Sequence, residues 1–127
     1  MSVATYPWPK DFPNDVPPTD AKDASGKAYR LVRSNPPSDS DFVGHNREPH
    51  KKKSKNLKAK DYGTSMFRKL KNIEEAREMF KAQRDKSIAE GVLDSIHGKI
   101  SKEREDSHFE AWLREKTGIE SCFKVVK

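Results

Sequence analysis

The stretch Lys-Ala-Tyr-Arg-Leu-Val at residues 27–32 alternates in the manner of a β-strand. Tyr29 and Leu31 fall on one face of this strand, and the three even-numbered residues fall on the other. Gly26 precedes the stretch and the segment 34–37, Ser-Asn-Pro-Pro, follows it, and both are typical of strand boundaries. The pattern predicts a strand at 27–32, around which the rest of the fold is organised.

Four further segments favour short strands. Each is apolar or alternating and lies beside residues that form turns. They span residues 62–67, 88–93, 98–100 and 122–126. Together with 27–32 they predict a small sheet.

The clearest helix is predicted at residues 72–83. Asn72 and Glu75 have the spacing of a capping box, and acidic residues near the start suit the positive end of the helix dipole. Apolar residues at helical intervals predict one buried stripe, formed by Ile73, Ala76, Met79 and Phe80.

A second helix is predicted near residues 108–116. Ser107 and Glu110 repeat the capping pattern, and Gly118 is suited to end the helix. The segment also supports a strand, because its residues at 109, 111 and 113 are apolar and alternate.

These elements predict an α+β fold with one folded domain. We expect a small mixed or antiparallel sheet of four to five short strands with two helices. An extended proline-rich arm at 1–26 precedes the domain at 27–127, which carries a basic loop at 45–61.

The arm combines prolines with aromatic residues. All eight prolines lie within the first 49 residues, and proline excludes this region from helices and central strands. One interpretation is a disordered tail. The other, which we favour, is an arm that docks into an apolar groove of its own domain or of a partner through Tyr6, Trp8 and Phe12.

The excess of positive over negative charge comes from one segment of the chain. The whole chain carries a net charge of +6, whereas residues 47–71 alone carry ten Lys or Arg and two acids. Clustered cations bind phosphates in a salt-dependent way, so the segment predicts contact with a nucleic acid or an acidic protein surface. The predicted contact residues are Arg47, Lys51, Lys52, Lys53, Lys55, Lys58, Lys60, Arg68 and Lys69. The alternative is a solvated loop without a partner.

Composition predicts a soluble, cytoplasmic protein. No apolar run approaches the length of a membrane span, and the N-terminus does not resemble a secretory signal. The single cysteine, Cys122, excludes an internal disulfide and fits a reducing compartment. Apolar neighbours predict that Cys122 is a small buried side chain and not a nucleophile.

The histidines do not indicate a metal site, and no motif indicates a cofactor. His45 and His50 are five residues apart in a loop without a firm ligand frame. His108 is expected to pack against the indole of Trp112, with a ring nitrogen bonded to the backbone.

Three residues resemble the arrangement in ADP-ribosyltransferase-like folds. Arg30, Ser65 and Glu90 lie in that order on successive predicted strands. The resemblance implies that the arginine holds a dinucleotide phosphate, the serine strand shapes a nicotinamide pocket, and the glutamate stabilises positive charge on the ribose. It gives an enzyme alternative that uses NAD, with His108 as a further catalytic candidate.

A broader pattern resembles a family of small uncharacterised bacterial proteins. It consists of Tyr-Arg-Leu-Val at 29–32, the Pro-Pro and Asp-Phe pairs within 36–42, Gly-x-Ser-x-Phe at 63–67, Ile-Ala-x-Gly-x-Leu at 88–93 and Ser-His-x-x-x-Trp at 107–112. The leading hypothesis is a non-catalytic binding module for an anionic partner. Its alternatives are the NAD-using enzyme and a subunit of a larger bacterial assembly.

Overall fold

The computed structural model describes residues 6–44 and 57–127. Within them the chain forms seven β-strands and one α-helix, joined by loops and short 3-10 helices. The strands are β1 Lys22–Asp23, β2 Gly26–Val32, β3 Thr64–Phe67, β4 Ser87–Leu93, β5 Gly98–Ile100, β6 His108–Leu113 and β7 Phe123–Val125, and helix α1 spans Leu70–Met79.

The strands form one antiparallel sheet that curls into a half-barrel. Their order across the sheet is β1-β5-β6-β3-β2-β4-β7. The predicted fold class is therefore wrong: the described residues form seven strands instead of four or five, and one α-helix instead of two. One reason is β1, which pairs Lys22 with Ile100 and Asp23 with Lys99 although its two charged residues carry no strand pattern.

The second predicted helix is strand β6. It lies between β5 and β3 in the sheet, and five of its six residues are buried, so side chains on both of its faces are covered. A strand that is apolar on both faces also has apolar residues at helical intervals, which explains the wrong prediction. The alternation at 109, 111 and 113 indicated the correct element.

Helix α1 begins at Leu70 and ends at Met79, and a short 3-10 helix follows at Lys81–Gln83. Ile73 is 1% exposed, as expected for the buried stripe. Met79 and Phe80 are 71% and 56% exposed, so the predicted stripe does not extend to the end of the helix. Two large apolar side chains consequently lie at the surface.

The two faces of the sheet carry separate apolar clusters. The larger cluster includes Ala28 and Val32 of β2, which confirms the predicted alternation of that strand. Phe42 and Ile119 from the loops complete this cluster, and the rings of Phe42 and Phe123 lie 5.0 Å apart. On the opposite face, α1 covers Tyr29 and Ile88 with Ile73.

The sheet consists of two well-paired halves. The first half contains β1, β5, β6 and β3, and the second contains β2, β4 and β7. Seven residue pairs join β2 to β4, and four join β3 to β6. The described residues of β2 and β3, by contrast, share the single pair Tyr29 and Phe67. We call this contact between the halves the β2–β3 join.

The N-terminal arm lies against its own domain from Tyr6 onward. The ring of Trp8 stacks with that of Phe12 at 5.9 Å, and the Arg114 guanidinium lies 4.0 Å from the centroid of the Trp8 ring. Arg114 also donates to the carbonyl oxygen of Tyr6 at 2.6 Å. Phe12 meets Tyr62 edge to face, with ring centroids 5.8 Å apart.

Among the residues that the structure describes, no helix combines the length and the apolar character required to cross a bilayer.

Candidate functional site

A cleft of about 550 Å³ opens beside the β2–β3 join. Helix α1, the ends of β2 and β3, and residues 104–108 form its walls. Its apolar wall consists of Leu31, Phe67, Ile73, Ala76, Met79 and Phe80. Its polar side groups include Arg30, Ser65, Lys86, Arg104 and His108, with carboxylates at Glu75 and Asp106.

Arg30 bridges the two halves of the sheet. Its Nη1 donates to the carbonyl oxygen of Ser65 on β3 at 2.9 Å, and its Nε donates to the carbonyl oxygen of Asp41 at 2.9 Å. Because the strands separate here, Arg30 supplies a donor that a neighbouring strand would otherwise provide. Only 7% of Arg30 is exposed, so its main role is structural.

Asp41 shapes the loop that Arg30 reaches. One carboxylate oxygen accepts from the Arg33 N–H at 2.8 Å, and the other accepts from the Ser38 N–H at 3.0 Å. The second contact belongs to a capping box at the start of the 3-10 helix Asp39–Phe42. This buried carboxylate therefore fixes the loop whose carbonyl group receives the Arg30 side chain.

Ser65 and His108 form a hydrogen-bonded pair on neighbouring strands. Ser65 Oγ contacts His108 Nε2, while Arg104 Nη1 lies 3.3 Å from His108 Nδ1. A guanidinium is only a donor, so Nδ1 is the acceptor and the neutral ring carries its hydrogen on Nε2. His108 therefore donates to Ser65, and the Ser65 hydroxyl hydrogen remains available to another acceptor.

Glu110 lies behind this pair. It is opposite Ser65 in the register of β3 and β6, and it is 5% exposed. Its Oε1 is 3.8 Å from His108 Nε2 and 3.9 Å from Arg104 Nη2. The carboxylate thus lies on the same side of the imidazole as Ser65. In a nucleophilic triad the acid contacts the other ring nitrogen, so this geometry differs from a triad.

The three residues of the transferase resemblance do not share the cleft. Arg30 and Ser65 both line it, whereas Glu90 lies on β4 with its Oε1 3.9 Å from Lys27 Nζ. Glu90 also accepts a hydrogen bond from Tyr29. Burial, with this bond and the negative charge of Glu90, raises the pKa of Tyr29 above its usual 10.0.

The described part of the predicted basic site divides into two groups. Lys58, Lys60 and Lys69 are exposed. Arg68 instead donates to the carbonyl oxygens of Ser25 and Lys27 at 2.8 Å, and its guanidinium lies 4.4 Å from the Phe109 ring centroid. Outside the described residues lie Arg47, Lys51, Lys52, Lys53, Lys55, His45 and His50.

Two expectations for individual side chains are corrected. Cys122 is exposed and not buried, because it ends the 3-10 helix Ile119–Cys122 just before β7. His108 packs edge to face against Phe67 at 5.1 Å instead of against Trp112. Because 108–113 is a strand, His108 and Trp112 lie about 13 Å apart along it instead of one helical turn apart. Across residues 6–44 and 57–127, no group of three or more His, Cys, Asp or Glu has the geometry to hold a metal ion.

Sequence reasoning missed most of the apolar wall and Arg104. Phe67, Met79 and Phe80 were placed in a predicted strand or helix but in no predicted site. Arg104 lies in a loop without a motif. Met79 and Phe80 are adjacent, so they point in different directions from a helix, and a sheet can bury only one face of a helix. The pair therefore indicated that an apolar side chain would be exposed.

Comparison of the chain with protein families, with curated protein sequences and with solved structures gave no match in any of the three. The geometry of the cleft is therefore the basis for a functional assignment.

Proposed function

We propose that this protein is a non-catalytic binding module whose cleft takes an anionic partner that also bears an apolar group. The observation that carries the proposal is that exposed apolar side chains and hydrogen-bond donors line the same cleft. Met79 and Phe80 present exposed apolar surface. Arg104 and Ser65 present donors.

The donors select the polar group of the ligand. The Arg104 side chain is 61% exposed, and its guanidinium has further N–H groups besides the one that meets His108. The Ser65 hydroxyl is directed to an acceptor by the donation that it receives from His108. A carboxylate, sulfonate or phosphate supplies the acceptors that these donors require.

The same geometry supports binding over catalysis. A general base next to Ser65 needs a lone pair on the ring nitrogen that faces the hydroxyl. Arg104 keeps the lone pair of neutral His108 on Nδ1, away from Ser65. The volume of about 550 Å³ lies within the range of about 300–1,000 Å³ typical of sites for small ligands.

A pair of fluorescent probes tests the proposal. 8-Anilinonaphthalene-1-sulfonate joins an aromatic ring system to an anionic group, and N-phenyl-1-naphthylamine is its counterpart without the sulfonate. We expect saturable binding of the sulfonate with a dissociation constant at least about tenfold lower than that of the neutral probe, as one charge-assisted hydrogen bond of about 1.5 kcal/mol provides. Titration by fluorescence measures both.

Matched variants locate the bound probe. Arg104→Gln is expected to remove the preference for the sulfonate, whereas Lys102→Gln, an exposed cation outside the cleft, leaves it unchanged. Phe80→Ser should weaken both probes by about tenfold, and Val92→Ser, equally exposed but on β4, should not. Equal affinities for both probes, or indifference to Arg104 and Phe80, would refute the proposal.

The basic segment 47–71 stays a predicted contact for nucleic acid or an acidic protein. The exposed Lys58, Lys60 and Lys69 support it within the described residues, and the engaged Arg68 does not. Titration with short RNA and DNA at two salt concentrations tests it, with neutralisation of Lys51–Lys53 as the decisive variant. An affinity that changes neither with the salt concentration nor in this variant would contradict the prediction.

The enzyme and assembly alternatives also stay predictions. Arg30 and Ser65 both line the cleft, but the Arg30 side chain donates to the carbonyl groups of Ser65 and Asp41 and Glu90 is not with them, which counts against the NAD-using form. Release of nicotinamide from NAD, followed by chromatography with and without Ser65→Ala, tests that form. Sedimentation of the isolated chain tests for a subunit, since a stable monomer would count against it.

A further inference from the structure

The charges around His108 restrict the kind of anion that the cleft can hold. The Asp106 carboxylate accepts from the His108 backbone N–H at 3.1 Å, and Asp106 itself lines the cleft. The buried Glu110 carboxylate lies 3.8 Å from His108 Nε2 and 3.9 Å from Arg104 Nη2. The guanidinium of Arg104, which contacts the other ring nitrogen, is therefore accompanied by two carboxylates.

The other charged residues of the lining add little to this balance. Arg30 is buried and donates to the carbonyl oxygens of Ser65 and Asp41, so its N–H groups are directed at the backbone. Lys86 and Glu75 both line the cleft and have opposite charges, which cancel. The net charge that a bound anion meets consequently depends on Arg104 and its two neighbouring carboxylates.

The donors set a second restriction. Arg104 and the Ser65 hydroxyl each offer hydrogen to a ligand, and a carboxylate has one oxygen for each of them while it adds a single negative charge. A phosphate monoester carries a charge of about −1.5 to −2 near neutral pH. The additional charge would be repelled by Asp106 and Glu110.

We propose that the ligand of the cleft is a monocarboxylic acid with an apolar tail, and that Asp106 and Glu110 disfavour phosphate monoesters. The carboxylate accepts from Arg104 and Ser65, and the tail lies against the exposed apolar side chains such as Phe80. This inference rests on the proposed function, which it narrows from anions in general to one chemical class.

Three ligands with the same linear octyl chain test the inference. Nonanoate is a monoanion, octyl phosphate is largely a dianion at about pH 8, and methyl octyl phosphate is a phosphate that carries one charge. Isothermal titration calorimetry of the full chain at low ionic strength measures each dissociation constant, because salt screens exposed charges. We expect nonanoate to bind about fivefold tighter than octyl phosphate, and the methyl ester to recover most of this difference.

A matched pair of variants locates the repulsion. Asp106→Asn removes the charge and keeps an oxygen that can accept from the His108 N–H, so the preference for nonanoate should fall from about fivefold to about twofold. Glu103→Gln removes an exposed carboxylate of the same loop outside the cleft and should leave the preference at about fivefold.

The results separate this inference from the proposed function. If the sulfonate probe binds in the cleft but octyl phosphate binds as tightly as nonanoate, the inference is overturned and the proposed function stands. If the probe and all three octyl ligands fail to bind, both are overturned. A methyl octyl phosphate as weak as octyl phosphate, or an unchanged preference in Asp106→Asn, would also overturn the inference, because the discrimination would then not depend on charge.

Discussion

Strand β2 has two neighbours, and it meets them in different ways. Its contact with β4 is a continuous ladder of seven residue pairs, whereas its contact with β3 is the single pair Tyr29 and Phe67. In this ladder the backbone N–H and C=O groups of the two strands bond to each other. The β2–β3 join depends on side chains, namely Arg30 from β2, Arg68 directly after β3 and Ile73 from α1. An interrupted ladder is thus both the place where the sheet needs support and the place where it has room for a ligand.

The largest expected effect comes from removing the arginine that bridges the join. Arg30→Met leaves the Ser65 and Asp41 carbonyl groups without this donor, and each buried group left unsatisfied costs about 1–3 kcal/mol. We expect the free energy of unfolding to fall by about 3 kcal/mol. Lys27→Met, on the exposed part of the same strand, should change it by less than about 0.5 kcal/mol. Urea unfolding measures both, and similar values for the two variants would mean that the join does not depend on Arg30.

The next effect concerns the helix that covers the join. Ile73 is 1% exposed and packs with Tyr29 and Ile88, so Ile73→Ala should destabilise the fold by about 2–4 kcal/mol. Ile96, which is 39% exposed, is the matched control and should lose less than about 1 kcal/mol on the same change. Thermal unfolding distinguishes them. If Ile73→Ala unfolds at the temperature of the parent, α1 does not stabilise the join.

A smaller effect concerns His97, a buried residue at the end of the 3-10 helix Ser95–His97 before β5. The pKa of His97 is lowered in the fold, so the unfolded chain takes up a proton at a higher pH than the folded chain does. Stability should therefore fall as the pH drops below about 6.5, and the loss is complete below the pKa of the folded state. Urea midpoints between about pH 7.5 and 5 measure it. His97→Gln should flatten this part of the profile, and an unchanged slope would contradict the assignment.

The smallest effect is expected on the ladder side of β2. The pKa of Tyr29 is raised, so its contribution to stability is present below about pH 10 and is lost as the pH rises through the higher value of the folded state. Urea midpoints between about pH 9 and 11 should fall less steeply for Tyr29→Phe than for the parent. A slope in Tyr29→Phe equal to that of the parent would contradict the role of Tyr29.

Local sequence patterns predicted the strands whose two faces have different surroundings. The stretch at 27–32 and the segments near β3 and β4 are of this kind, because one face meets the large core and the other meets α1 or solvent. Strand β6 was taken for a helix because its apolar residues at 109, 112 and 113 also fall at helical intervals, which burial on both faces allows. Strand β1 is held by pairing with β5 and carries no pattern of its own.

The candidate site was predicted in fragments. Arg30, Ser65 and His108 were named from the sequence, but on the basis of a resemblance in which Glu90 completes the set. Which residues meet depends on the order of strands β6, β3 and β2, which are far apart in the chain. The contribution of Arg104 follows from that long-range arrangement alone, so no local signal indicated it.

The strand order also determines how the chain must fold. Neither half of the sheet is continuous in sequence, because β1, β3, β5 and β6 alternate along the chain with β2, β4 and β7. The edge strand β1 can pair only after β5 has been synthesised, more than seventy residues later. Strand β4 completes its pairing only with β7, the last strand in the chain. Neither half can form as an independent unit, so proteolytic fragments cut between β3 and β4 are not expected to fold alone. Closure of such long loops places the domain among slow folders, with times of about milliseconds to seconds.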